Sequence, residues 1–211
     1  MKLSDKTLIK GAELSLENAE ELIKEANLLL KNKYYARAYT LFHLSIEEVG
    51  KSSILMEACI FGTCSTLSQS NNLLKEIRDH KLKTKRSLRI DYMLASLVKQ
   101  NSLKKILMNN MYSQGLAINK INDLKNYSLY VSYLNNTFKK PKDIITKTSV
   151  NNLKFYAERR FIFLKHFNSM LVNCIDVLKD LAKKPNYKEE IMAKVLSEDD
   201  SLINLIDFEK Q

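Results

Sequence analysis

Apolar residues recur every three to four positions through the first sixty residues, in two stretches separated by Asn32-Lys33. Over residues 5–31, Leu16, Ala19, Leu22, Ile23, Ala26, Leu29 and Leu30 fall on one side of a helix, and Glu17, Glu20, Glu21 and Lys24 on the other. Over residues 34–61, Tyr35, Ala38, Tyr39, Phe42, Ile46 and Val49 form a second stripe that ends near Gly62. So short a link predicts an antiparallel helical hairpin. Residues 63–72 are polar and read as a loop, followed by a short helix to about residue 78. The helical period returns over about 86–111, breaks at 112–115, and resumes over about 121–135, closed by Asn135-Asn136 and Pro141. A last long helix is expected from near residue 148 to just before Pro185, with Val150, Leu153, Tyr156, Ala157, Phe161, Leu164 and Leu171 as its apolar face. The pattern predicts an all-α bundle in one domain, residues 1–185. An acidic tail with a short amphipathic helix, residues 186–211, completes the chain.

Composition sharpens the fold class. Only 4 glycines and 2 prolines occur among 211 residues, where average usage gives about 25. Sandwiches, barrels and doubly wound sheets need more turn residues than that. No Gly-x-Gly exists, so a dinucleotide fingerprint is excluded. Against this scarcity Gly50 stands out, because glycine within a helix costs about 1 kcal/mol relative to alanine. Its position suggests close approach of another backbone. Cys59, Cys64 and Cys174 are an odd number without zinc spacing, and they read as buried thiols. The first residues lack the apolar run of a signal peptide, and no uncharged apolar stretch approaches membrane length. A soluble, cytoplasmic protein is expected.

The net charge of +10 is unevenly placed: −1 over residues 1–60, +14 over 61–170 and −3 over 171–211. Five of six arginines (Arg78, Arg86, Arg89, Arg159 and Arg160) lie in the middle segment. Such a distribution fits a surface for a polyanion, with the acidic tail a candidate shield. The alternative is compositional bias, since 28 lysines and 19 asparagines also suit an AT-rich genome filling solvated faces.

Three clusters carry candidate chemistry. In Ile46-Glu47-Glu48-Val49-Gly50-Lys51, Lys51 lies i+4 from Glu47 and i+3 from Glu48, so all three can share a face or form an ordinary surface ion pair. In Arg78-Asp79-His80-Lys81-Leu82-Lys83, cationic neighbours favour a neutral imidazole able to accept a proton near pH 7. That arrangement suits an RNA 2′-hydroxyl, with Lys83 or Arg78 countering phosphate charge. Lys81, Lys85, Arg86 and Arg89 extend the basic patch as candidate RNA contacts. In the segment 124–133, Asn126 and Tyr130 are spaced i, i+4 for one helical face, with Lys125 about 140° round the helix from Tyr130, and the tyrosines suit core packing equally. His43, between Phe42 and Leu44, reads as structural.

Taken in this order, Ser45-Ile-Glu-Glu-Val-Gly-Lys51, Asp79-His80-Lys81-Leu82-Lys83 and Leu129-Tyr130-Val131 followed by Pro141 resemble the AbiV family of abortive-infection proteins. The resemblance covers most of residues 12–160. It implies a HEPN-like helical bundle, a superfamily whose members often dimerise and in many cases cleave RNA without metal. Their Arg-x(4–6)-His motif assembles across the dimer. Lys125-Asn126-x-x-x-Tyr130 resembles an altered Arg-Asn-x-x-x-His. Lysine keeps the charge without the bidentate fork, and a tyrosine phenol, titrating near about 10, is a weaker base at neutral pH than histidine. Arg160 and His166 supply a literal Arg-x5-His on the last long helix, as a second choice.

The resemblance therefore implies a homodimeric, infection-triggered ribonuclease that stops translation. Its catalytic set would be His80, Lys83, Lys125, Asn126 and Tyr130, supported by Glu47, Glu48, Lys51 and Arg78. No metal, cofactor or membrane is expected. Its partners would be host or phage RNA (tRNA, rRNA or mRNA) and a phage-encoded activator. The alternative is a non-catalytic module of the same fold that blocks translation by binding RNA, a nucleotide, the ribosome or a phage protein. A third reading is a helical adaptor whose charge reflects composition alone.

Overall fold

Ser4 starts the first helix: its hydroxyl accepts the Thr7 amide at 3.2 Å, satisfying one of the free N–H groups of a helix start. The computed structural model describes residues 2–97 and 100–186. Helix α1 spans Asp5–Lys31 and buries Leu8, Ala12, Leu16, Ala19, Ile23 and Ala26, a stripe one turn wide. It closes in a Schellman turn, with Tyr34 N–H donating to the Leu29 carbonyl and Lys33 N–H to that of Leu30. Lys33 takes the left-handed conformation the turn requires (φ 64°). The chain thus reverses into α2, Tyr35–Ile60, and the expected hairpin forms. Gly62, also left-handed at φ 60°, lies just past the end of α2.

Helix α2 is the axis of the molecule, buried along most of its length because α1 and three later helices, His80–Leu97, Ile118–Leu129 and Lys147–Asn173, all pack on it. This explains why its stripe is hard to delimit: a surrounded helix is apolar on several faces. Two of its buried side chains, His43 and Glu47, are not apolar at all.

The expected loop at 63–72 contains a helix start. Thr66 and Gln69 form a reciprocal capping box, and α3 spans Leu67–Glu76. Asp79 then accepts the Leu82 amide at 3.0 Å, so α4 spans His80–Leu97 and begins six residues before the periodicity suggested. That earlier start places His80 and Lys83 in the first turn of a helix packed on α2. Helix α5, Asn101–Leu116, continues through the break expected at 112–115. Helix α6, Ile118–Leu129, stops at Tyr130, whose backbone is extended. The anticipated helix to residue 135 is replaced by a hairpin of β1 (Ser132–Leu134) and β2 (Thr137–Lys139). Asn135 and Asn136, at φ 50° and 60°, make its two-residue turn. Asparagine pairs tolerate this left-handed geometry, and their turn matches the strand twist.

A short helix α7, Pro141–Ile144, leads to Thr146, which caps α8, Lys147–Asn173. The single helix expected from 148 to 185 is two: α9, Ile175–Leu181, turns away from α8 by 89°. Lys179 pairs with Asp5 and so fastens α9 to the start of α1. No single described helix is long and apolar enough to cross a membrane. The apolar residues of α8, including Val150, Leu153, Phe161, Leu164 and Leu171, face the shared core. Cys59 and Cys64 are buried thiols as expected, and burial pushes Cys59 up to about 11, whereas Cys174 is only half-buried. The acidic tail lies, from residue 187 onward, outside the described residues.

A second polar cluster joins α4, α5 and α8. Asp91 is fully buried and accepts from Arg160 (2.6 Å) and Arg159 (2.8 Å), and Arg160 also donates to Ser87 and to Gln114. Arg160 is thus enclosed within the fold while His166 is exposed, so the two side chains of the Arg-x5-His spacing do not meet within one chain. Burial pushes the Asp91 carboxyl up, but the Arg160 and Arg159 guanidiniums outweigh it and hold the group below its usual range.

Candidate functional site

Glu47 lies in the middle of α2 with its side chain 1% exposed, and four cationic or titratable side chains converge on it. Its Oε1 accepts from Lys125 Nζ at 3.0 Å, and Lys83 Nζ stands 3.1 Å from Oε2. His80 Nδ1 lies 2.5 Å from Oε2. His43 Nε2 is 3.4 Å from Oε1, close in distance but not aligned for a hydrogen bond. Three helices meet here: α2 supplies His43 and Glu47, α4 supplies His80 and Lys83, and α6 supplies Lys125.

Each local sequence feature has a part in this convergence. His43 and Glu47 are one turn apart on α2, and His80 and Lys83 lie in the first turn of α4, which Asp79 caps. Helix α6 is fixed on α2 by the Thr40 and Ser128 hydroxyls, 2.6 Å apart. Gly50 supplies the close approach: a Cβ there would stand 2.0 Å from the Lys83 carbonyl oxygen and 2.7 Å from its carbon. Only the absence of a side chain lets the α4 backbone come near enough for Lys83 to reach Glu47. The misplaced glycine marks the crossing point of α2 and α4.

Burial pushes the Glu47 carboxyl up, but the neighbouring His43, His80 and Lys125 overcome this and hold it well below the usual carboxylate range. The group is therefore an anion at neutral pH. Burial likewise lowers His43, with Glu47 opposing only in part, so this ring is neutral. His80 differs from the rest because its side chain is 58% exposed. With Nδ1 turned inward to a carboxylate, Nε2 is the nitrogen presented outward. The contact holds the ring in one orientation, with Nδ1 toward the carboxylate. The nearest partner of His80 is thus an anion, not the cationic neighbours its sequence position suggested.

The other anticipated residues divide clearly. Lys83 and Lys125 come together as expected but are buried against Glu47, with 7% and 8% of their side chains exposed. They hold Glu47 ionised and do not face solvent as phosphate contacts. Glu47, Glu48 and Lys51 do not form one group: Lys51 donates to Glu48 at 2.6 and 2.7 Å, and Glu47 turns to α4 and α6. Asn126 is exposed, and Tyr130, at 65% exposure, lies beyond the helix end, so the two share no helical face. Arg78, Lys81 and Lys85 are exposed, whereas Arg86 and Arg89 both pair with Glu57 at 3.0 and 2.7 Å. His43, which the sequence alone assigns to the core, stands beside Glu47, and its i, i+4 spacing from that residue is the signal for it. Among the described residues no three carboxylate, imidazole or thiol groups are placed to hold a metal ion. The Glu47 oxygens are already engaged by ammonium groups.

One buried imidazole, His43, and two buried carboxylates, Glu47 and Asp91, make stability acid-sensitive in a defined order. In the unfolded chain a histidine titrates near 6.5, and the folded His43 binds its proton less readily. Its contribution is present above that pH and is lost as pH falls through it. Glu47 and Asp91, both lowered, add a second loss as pH falls below about 4.5. Urea unfolding at pH 7.5, 6.5 and 5.5 is expected to show falling midpoints, with His43→Gln flattening that step. An unchanged step in the variant would assign it to another group.

A family model for AbiV, of the HEPN type, matches residues 7–160. No curated protein and no solved structure matches the chain. The matched region runs from α1 into α8 and contains every side chain that converges on Glu47. The chain belongs to the AbiV family of HEPN-type abortive-infection proteins.

Proposed function

We propose that this protein is an infection-activated ribonuclease that arrests translation without a metal, with His80 as its general base. The observation that carries this reading is the contact between His80 Nδ1 and the buried Glu47 carboxylate, 2.5 Å, with the ring otherwise open to solvent. His80 Nε2 takes the proton of an RNA 2′-hydroxyl, and the 2′-oxygen attacks the adjacent phosphorus in line. The bond to the 5′-oxygen breaks, and that oxygen leaves with a proton from solvent. The products are a 2′,3′-cyclic phosphate and a 5′-hydroxyl. Exposed Arg78 and Lys81 flank His80 and favour the phosphate, whose charge rises in the transition state. Glu47 is a positioning residue, and Lys83 and Lys125 keep it charged. Pairing of two copies, RNA of host or phage origin as target, and a phage-encoded activator belong to the same proposal.

A second reading rests on the burial of Lys83 and Lys125 and the position of Tyr130 off the helix. With those three groups unable to meet at one open surface, the chain would act without cleavage, blocking translation by binding RNA, the ribosome or a phage protein. The experiment incubates purified protein with total RNA, with and without lysate of infected cells, and maps the new ends. Cleavage leaving cyclic phosphate ends is expected, reduced about 10²-fold or more by His80→Ala. Absence of cleavage under every activating condition, or an His80→Ala variant as active as wild type, sinks the nuclease reading. RNA or ribosome binding with no cleavage selects the second.

A further inference from the structure

The surface of α4 that turns away from Glu47 carries a stripe unused by the site above. Lys81, Lys85, Arg89 and Tyr92 are all exposed and recur at i, i+4, i+8 and i+11. The stripe begins one residue after His80 and runs about 16 Å along the helix. Its far end opens into a groove of about 600 Å³ between α4 and α5. The groove has an apolar floor that includes Leu88 and Met111, and its walls carry Tyr92 and Tyr112, which are 53% and 67% exposed. Lys85, Arg86 and Arg89 line its rim. Glu57 neutralises one of these three charges and holds Arg86 and Arg89 in place, so the rim keeps a net of +2.

Two open phenol rings over an apolar floor, bordered by fixed cations, match one chemistry well. A single nucleic-acid strand offers flat aromatic bases and a charge at every phosphate. A duplex offers the same charge, but its bases are stacked on one another and cannot reach the tyrosines. An acidic amphipathic peptide would satisfy the charge without needing exposed aromatic walls. Accordingly, we infer that the α4–α5 groove is a base-stacking subsite for single-stranded RNA. Unpaired bases lie against Tyr92 and Tyr112, and their phosphates follow Arg89, Lys85 and Lys81 toward His80. This subsite rests on the RNA-cleaving reading above and adds to it a preference for unpaired strands.

The test measures equilibrium binding of a fluorescent, unstructured 12-nucleotide oligoribonucleotide and of an RNA duplex of the same length. The full-length protein carries His80→Ala, so that cleavage does not interfere. Tyr92→Ala with Tyr112→Ala removes two stacking rings and is expected to weaken single-strand binding by about thirtyfold or more and to leave duplex binding unchanged. The matching pair of phenylalanine substitutions retains the rings and is expected to bind as the parent does. Lys85→Ala with Arg89→Ala is expected to weaken both RNAs alike and to flatten the dependence on salt. Single-strand affinity unchanged in the folded double-alanine variant, or reduced equally for duplex, overturns the subsite. Folding is checked by circular dichroism, and the phenylalanine pair separates ring loss from disruption. Cleavage by the unsubstituted protein is scored separately. Tyrosine-dependent binding without cleavage keeps the subsite and removes the nuclease reading; cleavage with tyrosine-independent binding does the reverse.

Discussion

Gly50→Ala is expected to destabilise the protein by about 3 kcal/mol or more, at the upper end of what overpacking costs. The added carbon would sit 2.0 Å from the Lys83 carbonyl oxygen, and that neighbour is helix backbone, which has no rotamer to change. Relief requires α2 and α4 to separate along their crossing, which withdraws Lys83 and His80 from Glu47. In a thermal melt followed by circular dichroism, a fall in Tm of about 10 °C follows from a loss of that size. Gly115→Ala is the internal comparison. It lies in α5, and its Cβ would meet only Leu88 at an ordinary 3.8 Å. There the gain in helix propensity, about 1 kcal/mol, is expected to dominate and leave the variant at least as stable. Equal melting of the Gly50→Ala variant and wild type would mean that the α2–α4 crossing is not as close as described.

Glu47→Gln is expected to be the most damaging change that alters almost no volume. Lys83 and Lys125 are buried, and the carboxylate is the only anion among the groups that converge with them. Removing one member of a buried ionic group typically costs about 3–5 kcal/mol, because the remaining charge stays desolvated without a partner. The amide still accepts hydrogen bonds, so a loss near the lower figure is expected, read from the urea midpoint. Adding Lys125→Met should restore part of it, since one stranded ammonium is then replaced by an apolar chain. If Glu47→Gln with Lys125→Met is no more stable than Glu47→Gln, the cost lies in packing and not in unpaired charge. In the cleavage assay the same variant separates position from stability. Loss of activity while the protein remains folded is the outcome expected of a group that orients His80.

Much of this site was legible in the sequence. Gly50 stands out because glycine is rare in this chain and costs stability within a helix, and it is where another backbone crosses. His80 stands out by its cationic neighbours, and Lys83 and Lys125 through the family resemblance. What periodicity could not deliver was direction. Glu47 and Glu48 are adjacent and chemically alike, yet one is enclosed by three helices and the other pairs with Lys51. Periodicity sets the α4 start late because its signal is a single side chain, Asp79, and the first turn it caps is mostly basic. The spacing of Tyr130 from Asn126 fits a helix. The asparagine turn at 135–136 instead favours a hairpin, and local turn chemistry prevailed over helical spacing.

By itself the sequence determined the class of the fold, the α1–α2 hairpin and the segments from which the site is drawn. Those properties follow from apolar periodicity, turn residues and composition, which act over a few neighbouring positions. Only the tertiary structure decided which charges are partners. Lys83 and Lys125 are basic residues in a basic region, and nothing local distinguishes them from Lys81 or Lys85. They differ because the crossing at Gly50 and the docking of α6 take them out of water beside Glu47, where an ammonium group must be paired. The same packing leaves His80 at the rim, with one ring nitrogen held inward and the other open.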